Sequence, residues 1–258
     1  MGKIIAIANQ KGGVGKTTTA INLSACLAQS GKSVLLVDID PQGNTTSGVG
    51  VNKKDLPRSS YDMIIGQCPP DSVVVHTAVK NLDLIPSNVS LAGAEIELVD
   101  LGSREGQLKR SLGLLRHKYD FLFIDCPPSL GLLTINALTA ADSILMPIQC
   151  EFFALEGLSQ LMNTVRQVKR VYNPALAVEG VLLTMFDGRL NLTLQVTEEV
   201  KRFFPGKVFK TAIPRNVRLS EAPSHGVPIT LYDRYSRGAD AYQALAKEFL
   251  KNNKKPRP

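Results

Sequence analysis

The sequence predicts an α/β fold, a mostly parallel sheet with helices on both faces, and three observations carry that expectation. Short apolar runs of strand length recur along the 258 residues, stretches with helical spacing lie between them, and a glycine-rich loop joins the first run to the first helix. Strands that alternate with helices are joined by crossovers, which makes neighbouring strands parallel and buries both faces of the sheet.

The first strand is Lys3-Ile4-Ile5-Ala6-Ile7-Ala8, and Ala20, Leu23, Ser24 and Leu27 space the first helix, which stops before Gly31. Between them runs Asn9-Gln10-Lys11-Gly12-Gly13-Val14-Gly15-Lys16-Thr17-Thr18. Its glycines let the backbone curl so that successive N–H groups point inward, and the helix adds its positive N-terminal end to the same concavity. A cavity of this kind suits phosphate. Lys16 supplies a point charge for the β- and γ-phosphates of ATP, the Thr17 hydroxyl is placed to ligate Mg²⁺, and Thr18 can donate to the α-phosphate. Lys11, Gly12, Gly13, Val14 and Gly15 complete the cradle.

The strict G-x-x-x-x-G-K-[ST] pattern fails at its first position, which is Gln10, and a second lysine, Lys11, stands at the mouth of the loop. A chain turning tightly through Gly12 and Gly13 aims the Lys11 side chain away from its own phosphates. Its natural target is nucleotide in a facing subunit, so the sequence predicts a homodimer with ATP at the interface.

Ser33 to Asp38 reads as a second strand, which delivers Asp38 and Asp40 to the end of the sheet where the phosphates sit. Both are candidates for the outer shell of Mg²⁺ and for orienting the attacking water. A lone Asp at this distance from a glycine loop could instead bind a ribose hydroxyl, but the triplet Gly15-Lys16-Thr17 argues against a dinucleotide site. Residues 48–81 read as polar and irregular, with no chemistry assigned. Leu82 to Pro86 is a further strand, and Leu108, Leu112 and Leu115 space a helix whose Arg104, Lys109, Arg110 and Arg116 are read as facing solvent.

Phe121-Leu122-Phe123-Ile124-Asp125 has the form of a Walker B strand, with Asp125 holding magnesium directly or through water and Cys126 to Gly131 forming a loop able to sense the γ-phosphate. Ser143 to Ile148 and Gly180 to Met185 continue the strands, separated by a helix with Leu158, Leu161, Met162, Val165 and Val168 on one face. A last strand is expected from Lys207 to Arg215, leading into a turn where Pro214 and Asn216 can grip the adenine edge.

Composition narrows the class. Cys26, Cys68, Cys126 and Cys150 show no metal-ligand spacing, which excludes an iron–sulfur carrier and fits a reducing cytosol. The first strand starts at once after Gly2, leaving no room for a signal peptide, and no apolar run approaches the roughly 18 residues of a membrane span. A single domain is expected over residues 1–250, with a basic flexible tail over 251–258. Of the net charge of +7, none falls in residues 1–150, where 13 basic residues meet 13 acidic ones. Residues 151–258 hold 17 against 10, an asymmetry that suits a polyanionic partner.

Lys11 to Thr18, Asp38 to Gly43, Phe123 to Gly131 and Ile213 to Pro228 together resemble the ParA family of partitioning ATPases, the deviant Walker A branch of the P-loop fold, over nearly the whole chain. The resemblance implies an ATPase that dimerises on ATP, binds double-stranded DNA without sequence preference, and answers to a ParB-type centromere-binding protein that stimulates hydrolysis. Residue by residue, Lys11 is similar to the signature lysine that crosses the dimer, Gly12 to the position where closure needs a missing side chain, and Asp40 to the residue needed for hydrolysis. Pro214 and Asn216 match the adenine-contacting turn, and Arg189 and Arg218 match DNA-binding arginines. A cytoplasmic, nucleoid-associated protein is implied. A membrane-binding MinD-like ATPase would need an exposed amphipathic C-terminal helix, whereas Tyr242, Leu245, Phe249 and Leu250 are read as a packed face. A small-molecule kinase would need an acceptor pocket that cannot be named.

Overall fold

The computed structural model describes residues 1–151 and 154–254. In chain order the first elements are β1 (Lys3–Ile7), α1 (Lys16–Gln29), β2 (Val34–Asp38), α2 (Asn44–Gly48), α3 (Ser60–Ile64), β3 (Val75–His76) and β4 (Leu82–Ile85). There follow α4 (Leu91–Glu97), α5 (Gln107–Leu115), β5 (Phe121–Asp125), α6 (Leu132–Ala140), β6 (Ser143–Gln149) and α7 (Ala154–Val171). The last are β7 (Ala177–Thr184), α8 (Asn191–Phe203), α9 (Val217–Glu221), α10 (Ile229–Tyr232) and α11 (Arg237–Asn252).

Seven strands form one sheet in the order β3-β4-β2-β5-β1-β6-β7, parallel except for β3 at the edge. Side chains alternate across each strand, and both alternating sets are apolar. Ile4, Ala6, Leu35, Val37, Leu122 and Ile124 enter the core under α4 to α8, while Ile5, Ile7, Val34, Leu36, Phe121 and Phe123 enter the opposite core under α1 and α11. Phe249 of α11 closes that second core against Phe121 and Phe123, at ring-centroid distances of 5.3 and 5.6 Å.

The register carries the functional consequence. Asp38 and Asp125 are paired positions at the carboxyl ends of β2 and β5, and Ile7 pairs with Asp125 from the other side, so the glycine loop that leaves β1 begins beside both carboxylates. Open parallel sheets place ligands at this edge.

Four expectations change. The segment Lys207 to Arg215 does not pair as a strand; it touches the sheet edge at two isolated bridges, Val181 with Val208 and Phe186 with Pro214. Between them the N–H groups of Lys210 and Thr211 turn aside to the Glu248 carboxylate of α11, at 2.7 and 2.9 Å, which takes the Thr211 donor that a ladder with β7 would use after Phe209. Arg116 does not face solvent; its guanidinium donates to the Gly2 carbonyl and to Asp142, at 2.7 and 2.6 Å. Residues 48–81 contain α3 and the edge strand β3 rather than irregular chain alone. The basic tail starts later than residue 251: α11 runs to Asn252, and Asn253 donates to the buried Glu179, which also takes Lys3 and Ser143. Residues 255–258 of that tail lie outside the described residues.

The loop after α2 crosses the loop after α9 at a pair of glycines. Gly50 and Gly226 both have left-handed backbones, φ 86° and 65°, and a Cβ on Gly226 would lie 2.7 Å from the Gly50 Cα. Gly226→Ala should therefore lower stability by about 1–3 kcal/mol, more than Gly206→Ala, whose Cβ would meet nothing within 4 Å. Thermal unfolding of the two variants beside the unsubstituted chain checks this, and equal shifts would show that the crossing is not tight.

Candidate nucleotide and cation site

Gly13 and Gly15 adopt left-handed backbones, φ 72° and 86°, which is how the loop after β1 turns its amides inward. The loop is braced from both sides. Asn9 donates to the Pro147 carbonyl on β6 and accepts from the Lys11 N–H, and the Thr184 hydroxyl at the end of β7 donates to the Val14 carbonyl at 2.9 Å. Lys16 is buried, its Nζ 2.9 Å from the Lys11 carbonyl. Burial lowers its pKa, while the nearby Asp125, Cys126 and Asp40 work in the opposite direction. The Lys11 stem leaves the loop in another direction and lies along α7, where a Cβ on Gly157 would sit 3.3 Å from Lys11 Cγ and Cε.

Beneath the loop, Asp38 and Asp125 are both 0% exposed. Burial raises the pKa of each above the usual carboxylate range, and so does carboxylate charge close by, that of Asp125 on Asp38 and of Asp40 on Asp125. Hydroxyls hold the pair in place. Asp125 Oδ2 accepts from Thr17 at 2.8 Å and Thr45 at 2.7 Å; Asp38 Oδ2 accepts from the Thr46 hydroxyl and N–H at 2.7 and 2.9 Å. Asp125 Oδ1 is buried and has no hydrogen-bond partner among the described residues. Asp40, 7% exposed, is fixed by its own loop: its N–H donates to Asp38, its Oδ1 accepts from Gln42 N–H, and its carbonyl accepts from the Ser87 hydroxyl.

An unpartnered carboxylate oxygen beside a threonine hydroxyl fits a hard divalent cation that takes its remaining ligands from phosphate and water. Among the described residues no cluster of three His, Cys, Asp or Glu offers an all-protein metal cage. The donor set therefore suits Mg²⁺ arriving with a nucleotide.

Next to the loop opens a cavity of about 400 Å³ walled by Thr18, Met185, Pro214, Asn216, Ser220 and Tyr242. Pro214 and Asn216 were expected there. Asn216 differs in one respect: its Oδ1 accepts from the Arg218 N–H at 2.8 Å and caps α9, so only its amide NH₂ is left without a role in the fold. Met185, in a left-handed conformation at φ 48°, and Tyr242, whose hydroxyl meets Thr19 at 3.1 Å, were not expected in the wall. Arg189 and Arg218 project from the two segments that form this wall. Arg189 is 89% exposed and makes two bonds to Asp187, at 2.9 and 2.7 Å, which hold the Asp187 carboxyl down at about 2. Arg218 bonds Glu221 at 2.9 Å, with Asp233 at 3.5 Å. Thr45, Thr46 and Ser87 escaped the sequence reading; the hydroxyl pair directly after Asp38 to Gly43 was the available signal for the two threonines.

A sequence-family profile described as an AAA domain matches residues 2–178. The sporulation initiation inhibitor protein Soj of Bacillus subtilis is 63% identical over 98% of this chain and all of its own length. The chromosome partitioning protein ParA of Myxococcus xanthus is 52% identical over all of this chain and 92% of its own. Among solved structures, cobyrinic acid a,c-diamide synthase from Mycobacterium smegmatis, with bound ADP and magnesium, superposes with a TM-score of 0.85 at 38% identity, covering 97% of this chain and 95% of that one. With its glycine loop, its paired carboxylates and these full-length relatives, the chain belongs to the ParA/Soj family of chromosome-partitioning ATPases.

Proposed function

We propose that this ATPase closes into a homodimer around ATP, grips double-stranded DNA without sequence preference in that state, and lets go after hydrolysis, acting in chromosome or plasmid partitioning. The observation that carries the reading is the buried Asp125 Oδ1, unpartnered among the described residues, beneath a glycine loop whose Thr17 bonds the other oxygen of that carboxylate and whose Lys16 charge acts on it. ATP and Mg²⁺ are the cofactors, with Thr17 and Asp125 holding the ion, which offsets phosphate charge as the β–γ bond breaks.

The remaining roles belong to the chain. Lys16 pairs with the β- and γ-phosphates, and burial makes its charge count for more than it would in water. Gly12 to Thr18 present amides and hydroxyls to the phosphates, and Pro214, Asn216 and Met185 enclose the base. Asp40, held by Ser87 and Gln42, orients the attacking water. Lys11 leaves its place along α7 for the nucleotide of the second subunit. Gly12 is compatible with that closure: a Cβ there would meet nothing within 4 Å among the described residues, so this face of the loop is open to a partner.

Arg189 and Arg218 supply the DNA contacts, doubled in the dimer, and a ParB-type partner accelerates hydrolysis. Affinity set by phosphate contacts falls steeply with salt. A nucleoid-associated location follows from DNA binding. No described helix is long and apolar enough to cross a membrane, and Tyr242, Leu245 and Phe249 are spent in the core, which leaves α11 no apolar face for lipid.

Three outcomes are expected. Lys16→Ala should abolish ATP binding, whereas Asp40→Ala should bind ATP, dimerise and fail to turn over; phosphate release with light scattering checks both, and turnover by Asp40→Ala would remove that residue from catalysis. Arg189→Glu or Arg218→Glu should spare ATP binding and, by removing one phosphate-binding arginine from each subunit of the dimer, flatten the log–log salt dependence of DNA affinity by roughly 2, while Asp187→Asn should strengthen DNA binding by freeing Arg189. DNA binding that ignores salt would defeat the electrostatic account. Asp125→Asn should stabilise the nucleotide-free protein above neutral pH. A carboxylate whose pKa is raised by folding contributes stability that is complete below its unfolded pKa of about 4 and is lost as pH rises through the folded value. An asparagine keeps an acceptor for Thr17 and Thr45 and removes the buried charge. Thermal scans from about pH 4 through the folded value of about 6 to pH 7 should show the variant less pH-dependent, and an unchanged slope would refute this.

A further inference from the structure

The two hydroxyls on Asp125 are not equivalent. Thr17 belongs to the glycine loop and, on the reading above, would serve Mg²⁺ through an oxygen lone pair, so its hydroxyl would answer to the ion as well as to Oδ2. Thr45 belongs to α2, which is tied down without reference to nucleotide. Ser87, after β4, donates its hydroxyl to the Asp40 carbonyl and its N–H to the Thr46 hydroxyl, both at 2.8 Å. Gly43, which caps α2 with φ 60°, lies so close to the Ser87 carbonyl that a Cβ would come within 2.7 Å of it. Thr46 in turn bonds Asp38. One short helix thus aims two successive threonines at two different carboxylates, both threonines 0% exposed.

We propose that Thr45 is a positioning residue for the cation: its hydroxyl, 2.7 Å from Asp125 Oδ2, keeps the carboxylate turned with Oδ1 free for Mg²⁺ independently of the loop that carries Thr17. This rests on the magnesium reading of Thr17 and Asp125. The torsion that orients a carboxylate is broad and roughly two-fold, and a charge-assisted O–H···O⁻ bond is strong enough to select one setting. Asp125 has no backbone donor to do this, since the bonds to its side chain come from Thr17 and Thr45. Without Thr45, Oδ2 would rely on Thr17 alone, whose place is set by the nucleotide loop, and the carboxylate would be freer to turn.

The test compares Thr45→Val, which keeps the shape and removes the hydroxyl, with Thr45→Ser, which keeps the hydroxyl. The full chain is titrated with a fluorescent ATP analogue across a Mg²⁺ series and in EDTA. The expected result is a rise of about tenfold in the Mg²⁺ needed for half-maximal tightening in Thr45→Val, near-normal behaviour in Thr45→Ser, and unchanged affinity in EDTA for both. If valine packs badly, Thr45→Ala against Thr45→Ser gives the same comparison. An unshifted Mg²⁺ requirement in Thr45→Val, or equal impairment in Thr45→Ser, overturns the proposal. Asp125→Asn separates the two levels: a shift there without one in Thr45→Val defeats the positioning role alone, whereas no shift in either defeats the magnesium reading on which it rests.

Discussion

Two carboxylates that share a buried edge of the sheet, Asp38 and Asp125, are the constraint around which the site is built. The parallel register of β2 and β5 sets them side by side, and the exit of β1 brings the glycine loop over them. A pair of negative charges withdrawn from water is costly unless a cation or donors compensate it. Here Thr17, Thr45 and Thr46 supply hydroxyls and Lys16 a buried positive charge, yet Asp125 Oδ1 is left with no partner. The nucleotide-free protein thus holds an electrostatic deficit that a divalent cation with its phosphates would relieve, and on that reading nucleotide binding is a structural event rather than a surface encounter.

A second feature links the base to the outer surface. The cavity proposed to take the base is walled by the ends of two segments, one running from Met185 to Arg189 and the other from Pro214 to Arg218, and the Phe186 N–H bonds the Ile213 carbonyl at 2.9 Å to join them. Both arginines proposed to meet DNA therefore stand within a few residues of atoms that enclose the base. In the single chain each is already paired with a carboxylate, Arg189 with Asp187 and Arg218 with Glu221. On the proposed reading DNA would have to compete with these pairs, so each contact would be weak and the number of contacts would decide binding. Such a balance suits a protein whose grip depends on doubling its surface by dimerisation.

Much of this was legible in the order of residues. Strands ending in Asp38 and Asp125 were visible as apolar runs closed by an acid, and the loop from Lys11 to Thr18 was visible because glycines, a lysine and hydroxyls at that spacing have one economical use. The segment Lys207 to Arg215 misled because its apolar residues have strand character, while the event that interrupts its pairing, the capture of two N–H groups by Glu248, depends on a residue far along the chain. Arg116 misled for a similar reason: its spacing put it on the polar side of α5, and the acceptors that claim it, Gly2 and Asp142, lie on distant segments.

By itself the sequence determined the alternation of strands and helices, the phosphate loop and the identity of the acids at the strand ends, because each is written in neighbouring residues through periodicity and local backbone chemistry. The tertiary structure alone decided which strands lie together, which oxygen of Asp125 lacks a partner, that Thr45 and Thr46 serve different carboxylates, and that Met185 and Tyr242 wall the cavity beside the glycine loop. Those facts depend on register and on contacts between residues remote in sequence, and burial, which gives a charge or an unmade hydrogen bond its energetic weight, exists only once the chain has closed around it.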